Sequence, residues 1–179
     1  VFVAQPAEER IAGAKAMVAD GLYTRFPKPD YALAYHVDAS METGKIAASE
    51  TIQYSSSDSI DIVVPGIGAH GASPNTGKDP VYMASQIVIA LQGLGSRERA
   101  PLLPGVITVG SFHAGLKHNI ISDEAKLQVT VRANDEATRA QLLAGIKRVA
   151  RGIGELNGMP ADKMPVVTVI EGTPTTIND

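Results

Sequence analysis

The stretch Ala125-Lys-Leu-Gln-Val-Thr-Val-Arg132 alternates apolar and polar residues without a break, the pattern of a strand buried on one face only. Ala125, Leu127, Val129 and Val131 are expected to face a core, with Lys126, Gln128, Thr130 and Arg132 facing away. Such a strand needs other strands beside it and a second layer against its apolar face. The rest of the sequence supplies both. Ser59-Ile-Asp-Ile-Val-Val64 alternates in the same way, with Ile60, Ile62 and Val64 on one side, and Val106–Phe112 and Val166–Ile170 read as two further strands. Between the strands the period becomes helical. Asp79-Pro80 opens a helix with proline at its first position, where the missing N–H costs nothing. Met83, Ile87, Ala90, Leu91 and Leu94 make its apolar stripe. A second helix carries Leu142, Ile146, Val149, Ile153 and Leu156 at steps of four and three, with Gly158 just past its expected end. From about residue 53 to 170 the order is β-α-β-β-α-β, the ferredoxin-like split βαβ with both helices on one face of a sheet.

Residues 1–50 read differently. VFVA at the start is strand-like, Ile11–Asp20 is helix-like, Pro27 and Pro29 mark a loop, and Tyr31–Val37 reads as a buried strand ending near His36. Strand, crossover helix and strand give this part α/β character. The predicted division is a partial α/β domain over 1–52, an α+β domain over 53–170 and a return segment over 171–179. A chain that opens in mid-strand with Val as its first residue is expected to be a piece of a longer protein.

Composition narrows the function. The net charge is −3 and no Lys/Arg cluster forms a phosphate-binding footprint. Tryptophan is absent and Phe and Tyr are few, so stacking platforms for single-stranded nucleic acid are missing too. Nucleic acid is therefore not an expected partner. No apolar run is long enough for a membrane helix, and no membrane partner is expected. With no cysteine, disulfides and thiolate metal sites within the chain are excluded, which fits a reducing compartment and an expected cytoplasmic location.

Two adjacent carboxylates, Glu8 and Glu9, follow the first strand-like stretch, at the strand end where open α/β sheets keep their chemistry. Neighbouring residues point in different directions, so one can bind a metal while the other handles a proton. Two acids in the first turn of a helix are equally at home as partners of its dipole. His36, at the end of the next strand-like stretch, is either a core histidine or a third member of the group. Together the three offer nitrogen and oxygen donors that suit Zn²⁺ or Mn²⁺. A catalytic zinc takes three protein ligands, so Glu9 and His36 alone are insufficient. His70 stands in the glycine-rich Gly68-Ala-His70-Gly-Ala-Ser-Pro74, either as a surface turn residue or as an imidazole brought close to a ligand. Asn119 suits a turn before the third strand, and Arg132 is either an exposed strand arginine or a bidentate carboxylate clamp. The second strand of a ferredoxin-like sheet lies at an edge. Val106–Phe112 has no charge or proline to blunt it, which predicts a homodimer through that edge and the helix beside it.

Gln5-Pro-Ala-Glu-Glu9, Gly13-Ala-Lys15, Gly68–Pro74, Asp79-Pro80, Val106–Gly110, His118-Asn-Ile-Ile-Ser-Asp-Glu-Ala125 and Gly172-Thr-Pro174 together resemble the M20 family of metallopeptidases, in its amidohydrolase branch. The resemblance runs over essentially the whole chain. It implies a metal-dependent hydrolase of amide bonds in N-acyl amino acids or related small molecules, using one or two ions, zinc or manganese. Glu8 would be the general base, Glu9 and His36 metal ligands, and His70 a catalytic group reaching the partner subunit's site. Asn119 and Arg132 would be substrate-binding residues, and the βαββαβ unit the lid and dimerisation domain. The alternatives are a non-catalytic dimerisation and substrate-capping module, or a metal-free pseudo-enzyme. The sequence departs from the family's Asn-Val-Ile-Pro-Asp with Asn119-Ile-Ile-Ser-Asp123, and has Arg10-Ile11 where Gly-Gly is usual. The family's other metal-binding segments have no counterpart here, so the chain alone is expected to be inactive.

Overall fold

The computed structural model describes residues 1–179. They form two compact units, Val1–Ser49 and Glu50–Asp179. The second unit is built on a four-stranded antiparallel sheet. Its strands, in chain order, are β2 (Ser57–Pro65), β4 (Gly105–Ala114), β6 (Glu124–Ala133) and β7 (Val166–Thr173), and their spatial order is β4-β6-β2-β7. This is the ferredoxin-like order, with β4 at one edge and β7 at the other. A short ribbon pairs β1 (Ile52–Tyr54) with β8 (Thr176–Ile177), and a second pairs β3 (Ala69–His70) with β5 (Ile120–Ile121).

The alternation read from sequence is the alternation observed. Ile60, Ile62 and Val64 on β2 and Ala125, Leu127, Val129 and Val131 on β6 are all buried. Helices α3 (Pro80–Gly93) and α4 (Glu136–Leu156) cover that face, giving one core with Met83, Ile87, Leu91, Leu94, Leu142 and Ile146. At ~0.8 kcal/mol per buried methylene, this apolar layer is the main source of the unit's stability. The expected helical stripes hold except at Leu156, which is 73% exposed because it falls in the last turn of α4, beyond the sheet-facing stripe. Asp79 caps α3, its carboxylate accepting from the Val81 and Tyr82 N–H groups at 2.9 and 3.3 Å, with Pro80 at the first helical position. The α3 chain does not stop at Gly93 but widens into a π turn over Leu94–Glu98. Arg148 of α4 pairs with Glu98 there. At the far end of α4, Asn157 and Gly158 (φ 63°) form a Schellman ending, with Met159 N–H donating to the Gly154 carbonyl.

Asp58 lies on the inward side of β2, in phase with Ile60, and is completely buried. Arg139 of α4 meets it in a bidentate pair, Nε to Oδ2 at 2.8 Å and Nη2 to Oδ1 at 2.7 Å, while its Nη1 reaches Glu136. The hydrogen bonds to Asp58 hold the Arg139 guanidinium well above its ordinary pKa. Gly172 on β7 sits against the pair. A Cβ there would come within 2.2 Å of Asp58 Oδ1, so the residue must be glycine.

Residues 1–49 do not contain the two strands expected from sequence. Val1–Ala4 and Tyr31–Val37 form no strand, and Tyr31 and Val37 are 93% and 90% exposed. Strand propensity cannot act without a neighbouring strand to take the backbone hydrogen bonds, and none runs beside either segment within this unit. What forms instead is a 3₁₀ turn at Glu8–Arg10 followed by α1 (Gly13–Ala19) and α2 (Leu22–Arg25). Gly13 begins α1 against the Pro6 carbonyl, with no room for a Cβ.

Replacing Arg139 with Ala strands a buried carboxylate and is expected to destabilise the second unit by roughly 3–5 kcal/mol in urea unfolding. Asp135 caps α4, accepting from Thr138 N–H at 2.7 Å. Its hydrogen bonds to the Thr138 hydroxyl and N–H lower its carboxyl pKa. A depressed carboxyl stabilises the fold fully above the unfolded value of about 3.9, and the contribution fades as pH falls through the folded value. Acid unfolding of Asp135→Asn, which keeps an acceptor but loses the titration, is therefore expected to depend less on pH below about 4.

Candidate active-site elements and family relationship

Glu8 and Glu9 stand exposed on the 3₁₀ turn, bounded by Ala7 and Ile11, both with φ of 51°. A left-handed β-branched residue such as Ile11 is an uncommon, strained conformation. Ala7 and Ile11 are the two non-glycine residues with positive φ, and they bracket the turn that carries the acid pair. His36 is exposed, and its Nδ1 lies 2.7 Å from the Val37 carbonyl. Since that carbonyl can only accept, Nδ1 carries the proton in the neutral ring and the lone pair is on Nε2. That tautomer suits a metal ligand. Two residues on, Asp38 has its carboxyl pKa lowered, chiefly by the Ser40 hydroxyl and N–H and least by His36.

Donor chemistry alone does not make a metal centre. Zinc or manganese sites of the expected kind require at least three protein ligands, and no group of three or more His, Cys, Asp or Glu able to hold an ion is present in the chain. Glu9 and His36 are the right donor types in an insufficient number. The residues of this chain by themselves do not fit the metal.

In the second unit the structure brings His70 and Asn119 together. β3 places His70 opposite Ile120 of β5, and the Gly71 N–H donates to the Asn119 carbonyl at 2.8 Å. The contact explains Gly71, whose Cβ would press on the Asn119 backbone at 3.1–3.2 Å. His70 Nδ1 accepts the Ala72 N–H at 3.1 Å, so the neutral ring carries its proton on Nε2 and presents an outward donor. Asn119 Oδ1 is buried with no hydrogen-bond partner. The two residues thus meet through their backbones, with the His70 ring exposed and the Asn119 side-chain oxygen unmet.

Arg132 is not part of this pair. It lies exposed near the end of β6, opposite Val106, and the run from Glu124 to Arg132 spans about 26 Å at roughly 3.3 Å per residue. Asn119 belongs to the loop before the start of that strand, so the two expected substrate contacts stand at opposite ends of it. Two residues were not singled out from sequence. Asp58 was legible, since it shares the parity of Ile60, Ile62 and Val64. Lys78, whose Nζ donates to the Asn157 carbonyl at 2.7 Å, was not, because its partner is 79 positions away.

A four-stranded sheet with two helices on one face and a glycine-rich histidine loop at its end is the architecture of a peptidase dimerisation domain, and residues 55–155 match that family model. The chain belongs to the M20 peptidase family, in its amidohydrolase branch. It is 40% identical over 153 residues to hippurate hydrolase of Campylobacter jejuni, covering 86% of this chain and 40% of that protein. It is 31% identical to thermostable carboxypeptidase 1 of Saccharolobus solfataricus, covering 99% of this chain and 44% of that one. It is also 34% identical to N-acetyldiaminopimelate deacetylase of Bacillus subtilis, with coverages of 86% and 41%. The chain thus spans less than half the length of these relatives. Among solved structures, one described as an aminohydrolase from methicillin-resistant Staphylococcus aureus superposes with a TM-score of 0.81 at 32% identity, covering 98% of this chain and 43% of that chain. No helix is long and apolar enough to cross a membrane.

Proposed function

We propose that this chain is part of a metal-dependent amidohydrolase that cleaves the amide bond of N-acyl amino acids or related small molecules. The observation that carries the reading is the exposed His70 ring, its Nδ1 taken by the Ala72 N–H, on a ribbon whose backbone adjoins Asn119, in a chain whose relatives carry amide-hydrolase names. An imidazole N–H can stabilise the oxyanion that develops when water attacks an amide carbonyl. Asn119 would hold a polar group of the substrate, and Arg132 a carboxylate, met from the far end of the lid sheet. Glu8 would take the proton of the attacking water. Glu9 and His36 would be two of the donors to zinc or manganese, as one or two ions, the others coming from outside this sequence. By itself the chain would act as a lid and dimerisation module without turnover, in keeping with its lack of a three-donor cluster. A cytoplasmic location is proposed, supported by the absence of cysteine.

The proposed assembly is a homodimer through β4 and α3. Nothing in the structure covers the free edge of β4, and α3 contains no charged residue at all. Its outer side leaves Ile89 73% and Tyr82 57% exposed. An uncharged edge strand beside an uncharged helix face is what a second copy would bury.

In the full-length enzyme, Glu8→Gln is expected to lower kcat by at least about a hundredfold while metal content stays unchanged. Activity close to wild type would remove Glu8 as the base. Light scattering is expected to find a dimer that Thr108→Lys combined with Ile89→Glu converts to monomer. Val109 is unsuited to such a test because its side chain packs against the core. A wild-type monomer would overturn the assembly.

A further inference from the structure

His70 rides on a segment that has almost nothing to hold it by burial. Residues 67–78 leave β2 and return to α3 as an Ω-shaped loop whose ends are tied at the neck, Ile67 and Lys78 exchanging two backbone hydrogen bonds of 2.9 Å. Between them stand only Gly, Ala, His, Ser, Pro, Asn and Thr, and most are exposed. Inside the loop, Ser73 N–H donates to the His70 carbonyl and the Thr76 hydroxyl to the Ser73 carbonyl, both at 2.8 Å. These bonds shape the loop, and the β3–β5 ribbon with the Gly71–Asn119 bond ties its tip to the segment before β6, which leaves the seating of the neck to be set.

Lys78 is the side chain that leaves the loop. Its Nζ donates to the carbonyl of Asn157, the residue that ends α4. A helix C-terminus concentrates unmet carbonyls and negative potential, so an ammonium is well placed there. The acceptor is itself held: the Asn157 amide donates to Gln86 Oε1 of α3 at 2.7 Å and to the Ile153 carbonyl at 2.8 Å. Gly158 makes room, since a Cβ there would stand 3.3 Å from Nζ in a left-handed backbone that favours glycine. One lysine therefore ties the neck of the histidine loop to both helices of the core.

We propose that Lys78 is a positioning residue for His70, setting the place of its imidazole through the loop neck rather than touching substrate. The proposal rests on the catalytic reading of His70, so that reading is tested first, in the full-length enzyme with an N-acyl amino acid as substrate. Loss of kcat in His70→Ala upholds it. Lys78→Met is then expected to lower kcat roughly ten- to a hundredfold with KM within about twofold, and Lys78→Arg, which still reaches a carbonyl, to restore most of the loss. Because the lysine acts through the histidine, adding Lys78→Met to His70→Ala should cost nothing further. Wild-type kcat in Lys78→Met, beside an impaired His70→Ala, would overturn the positioning role alone. An equal further loss in the double variant, or a fall in thermal stability that accounts for the lost activity and is not rescued by arginine, would overturn it as well. Full kcat in His70→Ala would instead overturn the reading of His70 and the proposal with it.

Discussion

The pairing of β2 with β6, from Asp58 opposite Val131 to Pro65 opposite Glu124, sets the rest of the second unit. Side chains alternate along a strand, so a slip of one residue would turn the buried set of each strand out to solvent. In the observed register both central strands aim their aliphatic residues at α3 and α4, and the other strands add outside them. The histidine loop springs from one end of this ladder and the exposed Arg132 from the other. Asp58 adds a polar condition to an apolar one. A carboxylate with no exposure is tolerable only where a guanidinium meets it squarely, and Arg139 meets it from α4. The ion pair, the register and the glycine at 172 are parts of one arrangement.

The same logic explains why two halves of one chain differ in what can be read from them. Ile60, Leu127 and Met83 announce their burial because the elements that bury them lie within a hundred residues of the same sequence. Tyr31, Leu33, Tyr35 and Val37 announce burial just as clearly and are exposed. Their apolar character expresses a preference that only a neighbouring strand can satisfy, and none pairs with them here. Periodicity reports what a segment is fit for, not what is available to it.

The candidate site divides in a similar way. The types of its residues were legible: acids at 8 and 9, imidazoles at 36 and 70, an amide at 119, a guanidinium at 132. Their mutual geometry was not. That His70 adjoins Asn119 follows from the β3–β5 ribbon, which is too short to leave a periodic signal. The separation of Asn119 from Arg132 is the length of a strand that sequence did reveal. The ring tautomers depend on single backbone partners, the Ala72 N–H for His70 and the Val37 carbonyl for His36. No pattern of residue types encodes those. Lys78 escaped notice because its meaning lies in the end of a distant helix.

The sheet has two open edges, and each is interrupted by one extra residue. β4 carries Gly110, unmatched where Val109 and Ser111 face the adjacent Val129 and Gln128 of β6. β7 carries an extra residue, Ile170, squeezed in where Glu171 and Val169 face the adjacent Ser59 and Ile60, and Pro165 stands just before it. Were both edges flat, copies could add edge to opposite edge in a series with no last member. A bulge bends its strand and strengthens the local twist, so neither edge offers a flat run of unpaired backbone groups along its whole length. One unmatched residue on each outer strand thus works against open-ended strand addition.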